Sequence, residues 1–178
     1  MWGGVDDMTS AQRRERILAA ISGAHAPITG SALAGMFNVS RQVVVQDIAV
    51  LRAAGYDIIA TPQGYIMPGM IQAARPTRVM AVRHNSGQIE DELMAIVDLG
   101  GRILDVIIEH PIYGEFRGRL MLYSPSDVRA YMQLMEQSDA EPLSALTEGI
   151  HLHTIEADSE QVLDRIEDML AEKGYLLK

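Results

Sequence analysis

Apolar residues recur at helical spacing through the first third of the chain and often at every second position further on. Thr9 followed by Gln12 forms a capping-box pattern, and Ile17, Leu18 and Ile21 then share one helical face. The spacing predicts a first helix from about Ser10 to Ser22. Gly23 to Pro27 reads as a loop, with His25 a solvated residue within it. Thr29 caps a short second helix carrying Leu33 and Phe37, and Asn38 turns the chain. Ser40 caps a third helix whose inner stripe is Val44, Ile48 and Leu51, with Gly55 as the glycine that ends it. Short apolar runs at 56–60 and 65–67 flank Thr61-Pro62-Gln63-Gly64 and predict a hairpin.

Beyond residue 76 the pattern changes. A strand at 78–84 leads through Asn85-Ser86-Gly87 into a helix at 88–99, with Ile89, Leu93, Ile96 and Val97 on one face. Gly100-Gly101 stops it, and a buried-type strand runs from 102 to 109. After a turn at 110–114, Phe116, Gly118, Leu120 and Leu122 alternate with Glu115, Arg117, Arg119 and Met121, as in a strand with one wet face. Ser124-Pro125-Ser126-Asp127 starts a further helix whose apolar side is Tyr131, Met132 and Met135. A strand at 149–156 follows a polar loop, and Asp158 is the expected cap of a last helix with Val162, Leu163, Ile166, Met169 and Leu170 inward. The order is βαββαβα, which fits a ferredoxin-like, split βαβ domain with one extra helix. In that arrangement the first strand is central and lies near the last. Pro68-Gly69 and Arg75-Pro76 bracket a connector, so the expected domains are 8–68 and 77–178 in an α+β chain.

The chain has 178 residues, 48% apolar and 22% charged, enough for a real core. Cysteine is absent, which removes disulfides and thiolate metal ligands and fits a cytoplasmic protein. No signal peptide is visible, and no apolar stretch approaches the ~20 residues of a membrane helix, so a soluble protein is expected. The eleven methionines read as core gap-fillers. The net charge of −9 would argue against nucleic acid if it were evenly spread. It is not: residues 1–75 hold six Arg against five acids, while 76–178 hold nine basic residues against nineteen acids. The asymmetry points to two modules with different partners.

The second and third helices make a helix-turn-helix, and the hairpin after them makes a wing. The outward face of the third helix carries Arg41, Gln42, Val45, Gln46 and Ala49. Arg and Gln can pair with guanine and adenine edges, and Val45 can meet a thymine methyl. A solvated helix face could look similar, but the whole layout favours DNA. Ser40, Arg41, Arg52, Gln63 and one of Arg13 or Arg14 are the expected backbone contacts. So few cations per module favour a homodimer on a two-fold operator. The segment resembles the winged helix-turn-helix that also begins the biotin-ligase repressors. Gly114-Glu115-Phe116-Arg117-Gly118-Arg119 lacks the ligand-loop pattern of those proteins, so biotin ligation is not expected.

His151 and His153 sit two apart on the predicted last strand and therefore project from one face. Glu92 lies within the apolar stripe of its helix, where a carboxylate is costly unless paired or bound to a cation. His84 ends the strand leading into that helix. His84, Glu92, His151 and His153 could thus converge on one divalent transition metal per chain, Zn, Ni or Fe(II), rather than Mg or Ca. His110 begins a turn and is either solvated or a neighbour of the pocket.

With these motifs together, the chain resembles the niacin-responsive transcriptional repressors, a winged helix-turn-helix followed by a three-histidine (3H) domain. The matching segments are 40–48, Arg83-His84 with Glu92-Leu93, Glu109 to Gly114, and Gly149 to Thr154. The resemblance implies a repressor of NAD-biosynthesis or niacin-uptake genes with nicotinic acid as corepressor, and a metal held by His84, Glu92, His151 and His153. His110, Tyr113 and Arg117 are the expected ligand contacts, Tyr113 by stacking and Arg117 by charge. Two other readings stay open: a metal-dependent hydrolase with an appended DNA module, and a DNA-binding protein whose second domain only dimerises.

Overall fold

A computed structural model describes residues 8–24, 26–67, 75–138 and 141–177. The chain divides into two units, Met1–Gln72 and Ala73–Lys178. The loop reading of His25 and the linker reading of Pro68-Gly69 lie outside the described residues.

In the first unit, α1 spans Ser10–Gly23, α2 Gly30–Met36 and α3 Arg41–Ala53. Each begins at a hydroxyl cap: the side chains of Thr9, Thr29 and Ser40 accept the amides of Gln12, Ala32 and Val43. Thr9 and Gln12 form the full reciprocal box. Strands β1 (Ile59–Thr61) and β2 (Gly64–Ile66) pair antiparallel, and Ile28 bridges to Tyr65 beside them. Gly64 has φ +130°, and a Cβ there would run into the Ile28 backbone, so the wing closes only on glycine. Ile17, Ile21, Leu33, Val44, Ile48, Leu51 and Ile58 make the core. Asp47 is buried on α3 and is held by Arg13 at 2.6 Å and Arg14 at 3.5 Å. A buried carboxylate needs a counter-charge, so Arg13 and Arg14, one of which is expected at a phosphate, both pair with Asp47 within the fold.

The second unit follows the expected order: β3 Thr77–Arg83, α4 Ile89–Asp98, β4 Arg102–His110, β5 Gly114–Leu122, α5 Pro125–Gln137, β6 Ile150–Glu156 and α6 Glu160–Glu172. Short 3₁₀ turns at Ser86–Gln88 and Leu143–Thr147 precede α4 and β6. The sheet order is β3-β6-β4-β5, with every neighbouring pair antiparallel. Both β-α-β connections therefore skip one strand, as a split βαβ requires. The strand positions differ from the ferredoxin-like expectation: the first strand is at the edge, and the last is central. The C-terminal segment covers that edge, with the Arg83 amide donating to Tyr175 and the Leu177 amide donating to Ala81.

One apolar core joins α4, α5 and α6 to a single sheet face. Leu93 and Ile96 of α4 are within it and almost wholly buried, each worth about 1.5–3 kcal/mol relative to exposure. Ser159, not Asp158, caps α6 by accepting the Val162 amide; Asp158 is instead drawn to Arg75 and Arg102. Among the methionines, Met80 and Met121 are buried while Met36 is exposed.

Candidate metal centre and nucleic-acid interface

Strand β6 places His151 and His153 on the helix-covered face, each 3% exposed. Across the ladder Val82 faces His151 and Met80 faces His153, so His84, two residues beyond Val82, continues the same face. The His84 amide donates to the Gly149 carbonyl. Gly149 has φ +86°, and a Cβ there would collide with the His84 carbonyl. Glycine before the His-x-His pair is thus what lets His84 close on the strand. Helix α4 brings Glu92 over the three rings, with no exposed surface.

The Glu92 Oε2 atom lies 2.7 Å from His84 Nε2, 3.5 Å from His153 Nε2 and 3.6 Å from His151 Nε2. The donor atoms of His84, Glu92 and His151 fall within 4.8 Å of one another, and His153 joins them through Glu92. The far nitrogen of every ring meets a backbone carbonyl: Nδ1 of His84 at Asn85, of His151 at Gly149, and of His153 at Asp105. A carbonyl can only accept, so each Nδ1–H donates and each Nε2 is left facing inward. This is how metal-binding imidazoles are held. The second carboxylate oxygen, Oε1, is buried with no hydrogen-bond partner.

Three inward nitrogens around a carboxylate repel unless positive charge lies among them. Protons on the rings or a cation would both serve. Burial, the largest influence, pushes the Glu92 carboxyl up, but the charge of His153 and hydrogen bonds from His151, His153 and His84 hold it well below the usual carboxylate range. Burial likewise pulls His84 and His153 down, and the neighbouring Glu92 carboxylate outweighs it, leaving both raised. Ligands of a tetrahedral ion with bonds of about 2.0–2.1 Å stand about 3.3 Å apart. Two of the three separations from Oε2 are close to that value. The residues present fit a three-imidazole, one-carboxylate set for a borderline divalent metal.

A small pocket of about 30 Å³ opens beside this cluster, walled by Val106, Leu120, Tyr131, Pro142, Leu143 and Ser144. His110, Tyr113 and Arg117 do not line it. His110 and Tyr113 stack, centroids 5.1 Å apart, at the exposed β4–β5 turn. Arg117 pairs with Asp105 at 2.7 Å and Glu115 at 3.3 Å. The pocket walls that sequence reasoning missed are Tyr131, read as plain apolar helix face, and Leu143-Ser144, inside a stretch read as polar loop. Pro142 immediately before them was the available signal for an ordered turn.

In the first unit α3 turns Val44, Ile48 and Leu51 inward and leaves Arg41, Gln42, Val45, Gln46 and Ala49 exposed on its other side. Ser40 is spent as the cap of α3. The Arg52 Nε–H donates to the Ile58 carbonyl at 2.7 Å, tying the helix end to the chain entering the wing. Gln63 sits at the β1–β2 turn, half-buried, with both side-chain amide atoms enclosed and unpartnered. No helix among the described residues is long and apolar enough to cross a membrane.

Comparison with known proteins matches residues 77–178 to the 3H domain family and residues 13–66 to a helix-turn-helix (HTH) domain family. A relative from Thermotoga maritima, named "Probable transcription repressor NiaR", is 44% identical over 167 residues, 94% of each chain. "Transcription repressor NadR" of Bacillus subtilis is 38% identical over 173 residues, 96% of each chain. With both domains matched and relatives aligned along nearly the whole length, the chain belongs to the family of transcription repressors that join an N-terminal helix-turn-helix to a C-terminal 3H domain.

Proposed function

We propose that this chain is a cytoplasmic, metal-containing repressor that binds operator DNA in response to nicotinic acid and controls genes of NAD biosynthesis or niacin transport. Residues 8–68 form the DNA reader in this reading, and residues 77–178 hold the metal and the effector. The observation that carries it is the set of three imidazoles, each fixed through Nδ1 with its Nε2 toward the buried Glu92, beside a small cavity. His84, Glu92, His151 and His153 hold one divalent transition metal, Zn, Ni or Fe(II). When bound, the ion supplies a Lewis-acidic position for an anionic ligand. Val106, Leu120 and Leu143 provide apolar walls for a flat ring, and Tyr131 and Ser144 provide polar groups at its edge.

The alternative of a hydrolase has less support. Among the described residues Glu92 is the only acid lining the pocket, and it is already engaged by three imidazoles, so no described carboxylate there is left to act as a general base. Both relatives are named as repressors. The DNA reader consists of Arg41, Gln42, Val45 and Gln46 on α3, with Ser40, Arg52 and Gln63 at its margins, and acts as a homodimer. The test measures metal content and operator affinity of wild type and His151→Ala, with nicotinic acid, nicotinamide and NAD in separate titrations. Stoichiometric metal lost in the variant, with operator affinity raised by nicotinic acid, is expected. Operator affinity unchanged by nicotinic acid would overturn the gating.

A further inference from the structure

The β4 strand carries one irregularity, and it lies against the metal centre. Ile103 pairs with Ile155 of β6, yet Asp105 pairs with Thr154, so Leu104 is an extra residue. The β4–β5 register shifts at the same place. A bulge leaves backbone groups outside the ladder and re-aims the chain locally. Here both freed groups find specific partners. The Asp105 carbonyl accepts the Nδ1–H of His153 at 2.7 Å. The Thr154 amide, which faces β4, donates to Asp105 Oδ1 at 3.1 Å.

Asp105 therefore works on both sheet faces. Val106 points to the helix side with His153, so the Asp105 side chain points to the other side. There it is 6% exposed, a costly place for a carboxylate without a cation. Arg117 on β5 supplies that cation, 2.7 Å from Oδ2, from a side chain that is 43% exposed. Arg117 thus braces the bulge from outside.

We propose that Asp105 is a positioning residue for the metal ligand His153. Its carbonyl fixes the ring's tautomer and angle, its carboxylate locks the bulge that presents that carbonyl, and Arg117 anchors the carboxylate. This rests on the metal reading above. Partners that orient metal-bound imidazoles commonly matter by about 10–100-fold in metal affinity.

The test uses the full-length protein and variants Asp105→Ala, Asp105→Asn and Arg117→Met. Zn(II) and Ni(II) dissociation constants come from chelator competition. The His153 tautomer and Thr154 amide exchange come from ¹⁵N NMR of chelator-treated protein. Asp105→Ala should weaken metal binding about 10–100-fold, speed Thr154 exchange and spread His153 over both tautomers. Asp105→Asn keeps an oxygen for the Thr154 amide and should stay within about three-fold of wild type, following the usual size of a neutral hydrogen bond substitution. Wild-type affinity together with a wild-type His153 tautomer in Asp105→Ala would overturn the proposal. If that variant does not fold, Arg117→Met decides: unchanged metal affinity and unchanged Thr154 exchange overturn it. A wild type that binds neither metal sinks the metal reading instead, while the apo NMR readouts still decide whether Asp105 sets the His153 ring.

Discussion

Gly149 is the residue on which the geometry of the three histidines turns. Its φ of +86° is costly for any side chain, and the His84 carbonyl fills the space a Cβ would take. Gly149→Ala is expected to cost about 2 kcal/mol or more in stability. It should also pull His84 away from His151, which chelator competition would detect as weaker metal binding. A variant with wild-type melting temperature and wild-type metal affinity would show that the backbone there is not needed. Glu92 makes a second residue-scale prediction, in protein stripped of metal. The raised His84 and His153 contribute stability that is fully present below their unfolded value near ~6.5 and is lost as pH rises through the folded value. The depressed Glu92 contributes stability present above its unfolded value near ~4.3 and lost as pH falls through its folded value. Urea midpoints of chelator-treated protein should therefore peak at about pH 5–6 and decline toward pH 9. Metal affinity should move the opposite way, rising with pH, because the ligands must shed protons. A metal-free midpoint climbing steadily from pH 6 to 9 would contradict the ionised cluster.

At the scale of elements, α3 carries two separable jobs. Its inner side is tied to α1 through Asp47, Arg13 and Arg14. Asp47→Ala leaves two half-buried guanidinium groups without their partner and should lower stability of the full chain by about 1–3 kcal/mol, read by urea unfolding. Its outer side should tolerate change without loss of stability. Gln42→Ala is expected to cost about 1–3 kcal/mol of discrimination for the operator over a single-base variant and to leave the melting temperature unchanged. Loss of binding equally on both sequences would reassign Gln42 to the backbone. These elements were legible in sequence because caps and stripes are local: Thr9 with Gln12, Ser40 before Val44, and Ser124-Pro125 each announce a helix without reference to anything distant. The alternation of His151 and His153 gave their shared face for the same reason, and Glu92 stood out as an acid within a stripe. Strand order was not legible. Periodicity says which face a residue takes but not the order of the strands: β6 does lie beside β3, as the sequence leads one to expect, but β3 is at the edge rather than central, and β6 separates it from β4. The Asp105 bulge and the Ser144 wall depend on such distant pairings, and Arg117 looked like a free cation because its partner lies twelve residues earlier across a hairpin.

On the scale of the whole molecule, charge is what the two halves share least. The first 75 residues are near neutral and the remainder strongly acidic. DNA affinity therefore has to come from a few cations in the first unit, and the fold has already claimed several. Arg13 and Arg14 sit on Asp47, and Arg52 is tethered through its Nε–H to Ile58. Arg41 and Arg16 remain exposed without an ion pair among the described residues. One module can then neutralise about two or three phosphates, and the salt dependence of binding, about −0.9 per phosphate, should be correspondingly shallow. In the proposed homodimer, two modules on a symmetric operator would double that slope. The prediction is a slope of log K against log salt of about −4 to −5 for the full chain on a two-fold site, and about half that on a single half-site. Sedimentation should show two chains per operator. A half-site bound as tightly as the full site, with the same slope, would mean that one copy suffices. Arg41→Ala, which removes one cation per chain, should flatten the full-site slope by about two and the half-site slope by about one.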